Sequence, residues 1–211
     1  VPAVTVAVGV VHVVVTHLVP PDVLPKMDFR ESVPTECRTL VAIPAMLTSP
    51  GEVRALLVQL EQHYLSAPDP NICFALLTDY ADAPEQEMPD DAGLLTQASE
   101  GIRALNERHR RDEPLPFHLF HRERVWSAGE ATWMGWERKR GKLGDLLELL
   151  RGEPTSSRMA PDPGGPLPRV RYVITLDADS TLMRGGARRL IAAMAHPLNQ
   201  AAFDVRSGAV S

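Results

Sequence analysis

Cysteine is scarce: the chain has two, Cys37 and Cys73. Both sit inside or beside apolar runs, with no C-x-x-C or other metal-ligand spacing. That pattern argues against a disulfide framework or a cysteine-built zinc site and predicts buried thiols in a reducing compartment. A basic excess is missing too. The formal net charge of -5 argues against a chain held together by nucleic-acid affinity, so no nucleic-acid partner is expected. No internal repeat is visible. Charge is absent from residues 1–21, where Val8, Val10, Val11, Val13, Val14, Val15, Leu18 and Val19 make a dense apolar run near the lower length limit for crossing a bilayer. The end of a transmembrane helix is expected there, although His12 and His17 weaken that expectation and a buried β-branched strand is the alternative. An initiator methionine and an export signal are also lacking, and residues 203–211 run off in mid-pattern. A piece of a longer protein is expected.

What is present suits one ordinary domain in 211 residues. Residues 22–38 read as a connector, and the globular part is expected over 39–211. It opens on Thr39-Leu40-Val41-Ala42-Ile43-Pro44, a strand-like run. Ser49 can cap a following helix, with Pro50 at its first position, Glu52 in its first turn and Val53, Leu56, Leu57, Leu60 and Tyr64 at helical spacing. Residues 71–78 form a continuously apolar second strand, expected to be central and parallel. A helix is predicted over 89–110, a third strand at Phe117-His118-Leu119-Phe120, and another helix from Lys142 to a stop at Gly152. Residues 125–141 have no clean period, and 153–168 read as a Pro/Gly/Ser loop. A fourth strand then ends at Asp177, and a last helix closes at His196-Pro197. This alternation predicts a layered α/β domain with a mostly parallel central sheet, truncated before its C-terminal part.

Chemistry concentrates at the end of the fourth strand. Asp177 and Asp179 stand one residue apart where open α/β sheets place their ligands, and their hard oxygens suit Mg²⁺ or Mn²⁺ shared with a diphosphate. A metal-dependent nucleotide-sugar transferase fits, with Asp179 as direct ligand and Asp177 beside the ribose or the metal's water shell. An aspartyl-phosphate phosphatase with Asp177 as nucleophile also matches Asp177-x-Asp179-x-Thr181. Position favours the transferase. Such a hydrolase builds its domain after this strand, yet only 30 residues follow Thr181 while three strand–helix units precede it. A non-catalytic structural role for the chain stays open.

Other groups can join the pair. Asp79 ends an earlier parallel strand and can accept hydrogen bonds from a nucleobase or ribose, with Asp82 able to share that task. Glu137-Arg138-Lys139-Arg140-Gly141-Lys142 is a basic cluster at a helix start. It is no P-loop, since the glycine spacing is absent and Leu143 stands where a metal-binding hydroxyl is needed, but it can still meet a diphosphate. Trp126, Trp133 and Trp136 surround it and need something to cover them, whether loop packing or sugar faces. Gly129 and Glu130 can wall the donor site without Glu130 being the catalytic base. His118 and His196 read as structural.

Several stretches resemble one family: Leu24-Pro25-Lys26-Met27-Asp28-Phe29, Arg38-Thr39-Leu40-Val41-Ala42-Ile43-Pro44, Phe74-Ala75-Leu76-Leu77-Thr78-Asp79, Trp133-Met134-Gly135-Trp136-Glu137-Arg138-Lys139-Arg140-Gly141-Lys142-Leu143, Tyr172-Val173-Ile174-Thr175-Leu176-Asp177-Ala178-Asp179 and Met194-Ala195-His196-Pro197-Leu198-Asn199. Together, over about residues 18–204, they are similar to the glycosyltransferase domain of cyclic β-1,2-glucan synthases. The tryptophan-to-lysine block is the most specific element. The resemblance implies a GT-A-like fold in a large bacterial inner-membrane protein whose transferase region faces the cytoplasm. It implies inverting transfer of glucose from UDP-glucose to a growing β-1,2-glucan, with UDP-glucose, the glucan acceptor and the membrane as partners and Mg²⁺ or Mn²⁺ as cofactor. Carried over by matching residues, Asp79 is the nucleotide-binding acid, Lys142 the diphosphate-facing base, and Asp177 with Asp179 the metal motif, while Arg138 and Asp177 are also expected to bind substrate. The general base is then expected beyond residue 211, so that this stretch is the donor-binding half and inactive alone.

Overall fold

A computed structural model describes residues 2–19, 23–110, 114–153 and 162–200, together with the backbone of two short strands at 203–204 and 209–210. It divides into two compact units, residues 28–192 and residues 1–27 with 193–211.

The larger unit is built on a four-stranded sheet. Its strands are β1 (Thr39–Leu47), β2 (Ile72–Tyr80), β3 (Phe117–Arg122) and β6 (Tyr172–Thr175), in the order β3-β2-β1-β6 and all parallel. Helix α2 (Pro50–Ser66) joins β1 to β2, α3 (Asp91–Arg108) joins β2 to β3, and α4 (Arg138–Arg151) lies between β3 and β6. A small antiparallel hairpin, β4 (Val125–Ser127) with β5 (Thr132–Met134), precedes α4, and α5 (Gly186–Met194) follows β6.

The apolar runs explain the layering. β2 is buried at every position and β1 at all but Met46, as a parallel strand covered on both faces requires. Leu146 of α4 packs on Leu40, Ala42, Cys73, Ala75 and Leu77, with Leu143 and Leu150 beside it. Ser49 caps α2 by accepting from the Glu52 amide at 3.2 Å, with Pro50 at the first helical position as expected. Gly152 ends α4 at φ 73°, a left-handed conformation that favours glycine. The connector is partly packed: Phe29, Val33 and Cys37 are buried, and the Asp69 carboxylate accepts from the Val33 amide at 2.9 Å.

Some boundaries depart from the sequence expectation. β1 and β2 run further, through Leu47 and Tyr80, because each has a neighbour to pair with along that length. β6 stops at Thr175, so Asp177 and Asp179 stand on the loop beyond it. Residues 125–141 contain a hairpin whose strands are too short to show a period. Residues 154–161 of the expected Pro/Gly/Ser loop lie outside the described residues.

In the smaller unit, α1 (Pro2–Leu18) is a 17-residue helix whose valines are exposed all round. Among the described residues no helix is long and apolar enough to cross a membrane. Residues 20–22 of the expected membrane segment and connector lie outside the described set. His196 caps a short 3-10 turn, Pro197–Asn199, accepting from the Leu198 amide at 3.2 Å, and Asn199 donates to the Pro25 carbonyl at 2.8 Å. β7 (Phe203–Asp204) and β8 (Ala209–Val210) pair antiparallel.

Candidate functional site

The strand order turns back at β1, which has β2 on one side and β6 on the other. Chains leaving such neighbours diverge and open a crevice at the carboxyl ends. Pairing between β1 and β6 ends at Ala42 and Thr175, while β1 runs on to Leu47. The Ala42 carbonyl accepts from the Leu176 amide at 3.0 Å and so faces β6. Two residues on, Pro44 faces the same way, where no ladder remains to need its missing N–H. That is how a proline sits in an otherwise central strand, and it marks the mouth of a cleft.

The cleft has a volume of about 430 Å³. Its walls include Ala45 from β1, Asp79 from β2, Ala178 after β6, and Arg138, Lys139 and Lys142 from α4. Beneath it lies a buried ionic network. Asp79 and Arg122 are register partners on β2 and β3, and Arg122 donates Nε to Oδ1 at 2.8 Å and Nη2 to Oδ2 at 3.0 Å. Nη1 of Arg122 donates to Asp145 Oδ2 at 2.7 Å, and Nη2 also reaches the carbonyls of Trp136 and Arg138 at 3.2 Å. Lys142 Nζ stands 3.0 Å from Asp79 Oδ2 and donates to the Ala45 carbonyl at 2.7 Å. Burial pulls the Lys142 ammonium below its ordinary range, with Asp79 opposing. Burial acts the same way on Arg122, but hydrogen bonds to Asp79 and Asp145 outweigh it and raise its pKa.

Close packing holds the segment before α4 against this network. A Cβ on Gly135 would lie 2.5 Å from Asp79 Oδ2, and one on Gly141 2.1 Å from the Trp136 carbonyl, so both positions require glycine. Glu137 and Arg138 adopt φ of 46° and 47°, left-handed values that cost a side-chain-bearing residue on the order of 1 kcal/mol or more each. Arg138 bridges outward, 2.9 Å from both Asp82 and Glu130, and the Glu130 hydrogen bond raises its pKa.

The loop after β6 forms the rim. Asp177 pairs with Lys139, and its carbonyl accepts from the Ser180 amide at 2.9 Å. Gln59 of α2 donates to the Ala178 carbonyl at 2.5 Å and pins the loop from below. Asp79, Lys142 and Arg138 thus share one cleft, and Asp177 meets it through Lys139. Asp179 is exposed on the same loop and does not line the cavity. Among the described residues no group of three or more His, Cys, Asp or Glu side chains forms a self-contained metal site. Two exposed carboxylates one residue apart, Asp179 and the Lys139-paired Asp177, are hard oxygen donors of the kind that suits Mg²⁺ or Mn²⁺.

Arg122 and Asp145 were not legible as site residues, although signals for both exist. Arg122 continues an apolar strand into His121-Arg122-Glu123-Arg124, and Asp145 lies three residues after Lys142, on the same helix face. His118 is buried with Nδ1 2.6 Å from Asp162, a structural pairing as expected. Cys37 and Cys73 are buried and free, and burial pushes the Cys73 thiol up to about 11, which makes it inert.

No protein-family model matches the chain. It is 38% identical over 206 residues to the cyclic β-(1,2)-glucan synthase NdvB of Rhizobium meliloti (strain 1021). The alignment covers 95% of this chain and 7% of that protein, so the chain spans a small fraction of its relative's length. With an α/β fold and a cleft at its strand ends, the chain is homologous to one segment of a glucan synthase.

Proposed function

We propose that this chain is the donor-binding part of an inverting glycosyltransferase of GT-A-like fold, which transfers glucose from UDP-glucose to a growing β-1,2-glucan. The observation that carries the reading is the cleft between the diverging ends of β1 and β6. Three basic side chains of α4 line it, and an acidic loop forms its rim. Each of the three is paired with a carboxylate, so a nucleoside diphosphate binds by competing for the two exposed ones, Lys139 and Arg138.

Placement supports these roles. Lys139 and Asp177 neutralise one another without a ligand. With a diphosphate on Lys139, Asp177 and Asp179 would be the residues to hold a Mg²⁺ or Mn²⁺ ion. When bound, such a cation offsets the charge that develops on the departing diphosphate. Arg138 adds a second, exposed donor toward phosphate or sugar oxygens. Lys142 is more constrained: the Ala45 carbonyl and Asp79 fix its ammonium in the cleft wall as a preorganised charge. Asp79 gives three of its lone-pair sites to Arg122 and Lys142, which leaves one on Oδ1 for a ribose or base donor. A bacterial inner-membrane location, with the transferase region on the cytoplasmic side, belongs to this reading, and the exposed valines of α1 suit an apolar surrounding.

Calorimetric titration of the folded chain with UDP and with UDP-glucose, each with Mn²⁺, tests the reading. Saturable heat with both is expected. No heat from a sample whose circular dichroism shows the α/β fold would overturn it.

A further inference from the structure

A second cavity, of about 580 Å³, lies on the hairpin side of α4. Trp126 and Trp136 line it at 52% and 46% exposure, with Met134 beside them and Glu130, Arg138 and Arg140 as polar groups. Leaving two indoles this open forfeits much of the stabilisation their burial would give. Both are nevertheless held in place. Trp126 is backed edge-on by Trp133 at 5.8 Å, and Trp133 is clasped to Ala83 by two backbone hydrogen bonds of 2.9 and 3.0 Å. Trp136 is anchored through its carbonyl to the buried Arg122, and Gly141 lies against its ring so closely that a Cβ there would approach it to 2.9 Å. Anchored aromatic faces among hydrogen-bonding groups match a ligand with apolar C–H faces and a rim of hydroxyls.

We propose that this groove is a saccharide-binding site for a glucan segment. The indoles stack on pyranose faces, and the Glu130–Arg138 pair, with Arg140, takes the hydroxyls. Arg138 is also a wall of the donor cleft, so a saccharide seated on the tryptophans reaches toward a sugar held there. In assigning the ligand to the growing glucan, the inference rests on the proposed transferase reading. The saccharide chemistry of the groove stands on the tryptophans and their polar partners.

All three tryptophans of the chain lie in this segment, so their emission reports on the groove directly. The folded chain is titrated with a linear β-1,2-glucan oligosaccharide, with glycerol as a polyol control, while tryptophan fluorescence is followed. A saturable change with the oligosaccharide alone is expected. Trp126→Ala should weaken binding roughly tenfold or more, and Trp126→Phe should restore part of the loss. Trp136→Ala provides a second variant if the first fails to fold. UDP affinity measured by calorimetry on Trp126→Ala should equal that of the parent chain. UDP binding without saccharide binding overturns this inference alone. Saccharide binding without UDP binding overturns the donor-site reading and leaves the groove standing. Equal saccharide affinity in parent and Trp126→Ala also overturns the groove.

Discussion

Asp79 and Arg122 face one another across adjacent parallel strands, joined by two hydrogen bonds of 2.8 and 3.0 Å with both side chains buried. The guanidinium also holds Asp145 and two carbonyls of the segment that leads into α4. One side chain therefore ties β2, β3 and α4 together beneath the cleft.

Arg122→Met should be severely destabilising. It takes from the buried Asp79 and Asp145 carboxylates the guanidinium they share, a loss of about 3–5 kcal/mol when one partner of a buried ionic group is removed. Urea unfolding of parent and variant measures it. A loss below about 1 kcal/mol would show that the network contributes little to folding.

Gly135→Ala should fail for a steric reason at the same place. Its Cβ would fall 2.5 Å from Asp79 Oδ2, so either the segment or the ion pair must shift. A destabilisation of about 1–3 kcal/mol is expected. Weaker UDP binding should accompany it, and unchanged stability with unchanged UDP affinity would contradict the close approach.

His121 sets a pH dependence. Burial holds the imidazole neutral and pushes its pKa down to about 4 from an ordinary 6.5. Between those values the unfolded chain binds a proton that the native chain does not, so stability falls as pH drops from 6.5 toward about 4. The full loss is on the order of 3 kcal/mol. Unfolding of parent and His121→Gln compared at neutral and mildly acidic pH tests it. The variant should lose less stability on acidification, and identical pH profiles would remove His121 as the cause.

The loop after β6 offers a test of the metal role. Asp179→Asn changes an exposed side chain, so the fold should persist while Mn²⁺-dependent UDP binding disappears, as it should in the parent chain with a chelator. Gln59→Leu removes the bond to the Ala178 carbonyl and should lower Mn²⁺-dependent UDP affinity about fivefold through a looser loop. Calorimetry reads both. Full UDP affinity in Asp179→Asn would end the assignment of that carboxylate to a cation.

Much of the layered architecture was legible in residue patterns. The apolar runs at 39–44 and 71–78 and the helical series Val53, Leu56, Leu57, Leu60 and Tyr64 each correspond to an element with those residues buried, except Leu57 and Asn71, which are half-buried. Propensity and period act within a few residues, so they survive without knowledge of the neighbours. The hairpin at β4 and β5 escaped notice because three-residue strands carry no measurable alternation and are held by Ala83, some fifty residues earlier.

The site divides along the same line. By itself the sequence determined which groups are candidates for the chemistry: the carboxylates Asp177 and Asp179, the basic cluster before Leu143, the three tryptophans and an acidic residue closing β2. Their side-chain chemistry and spacing are local properties. Only the tertiary structure decided how those groups are placed. It paired Asp79 with Arg122 through strand register, sank Lys142 against Asp79 and the Ala45 carbonyl, opened the cleft where β6 stops pairing with β1, and left Trp126 and Trp136 in solvent. Those outcomes depend on residues far apart in the chain meeting in a low-dielectric interior. There the requirement to satisfy every charge, more than any local preference, selects the partners.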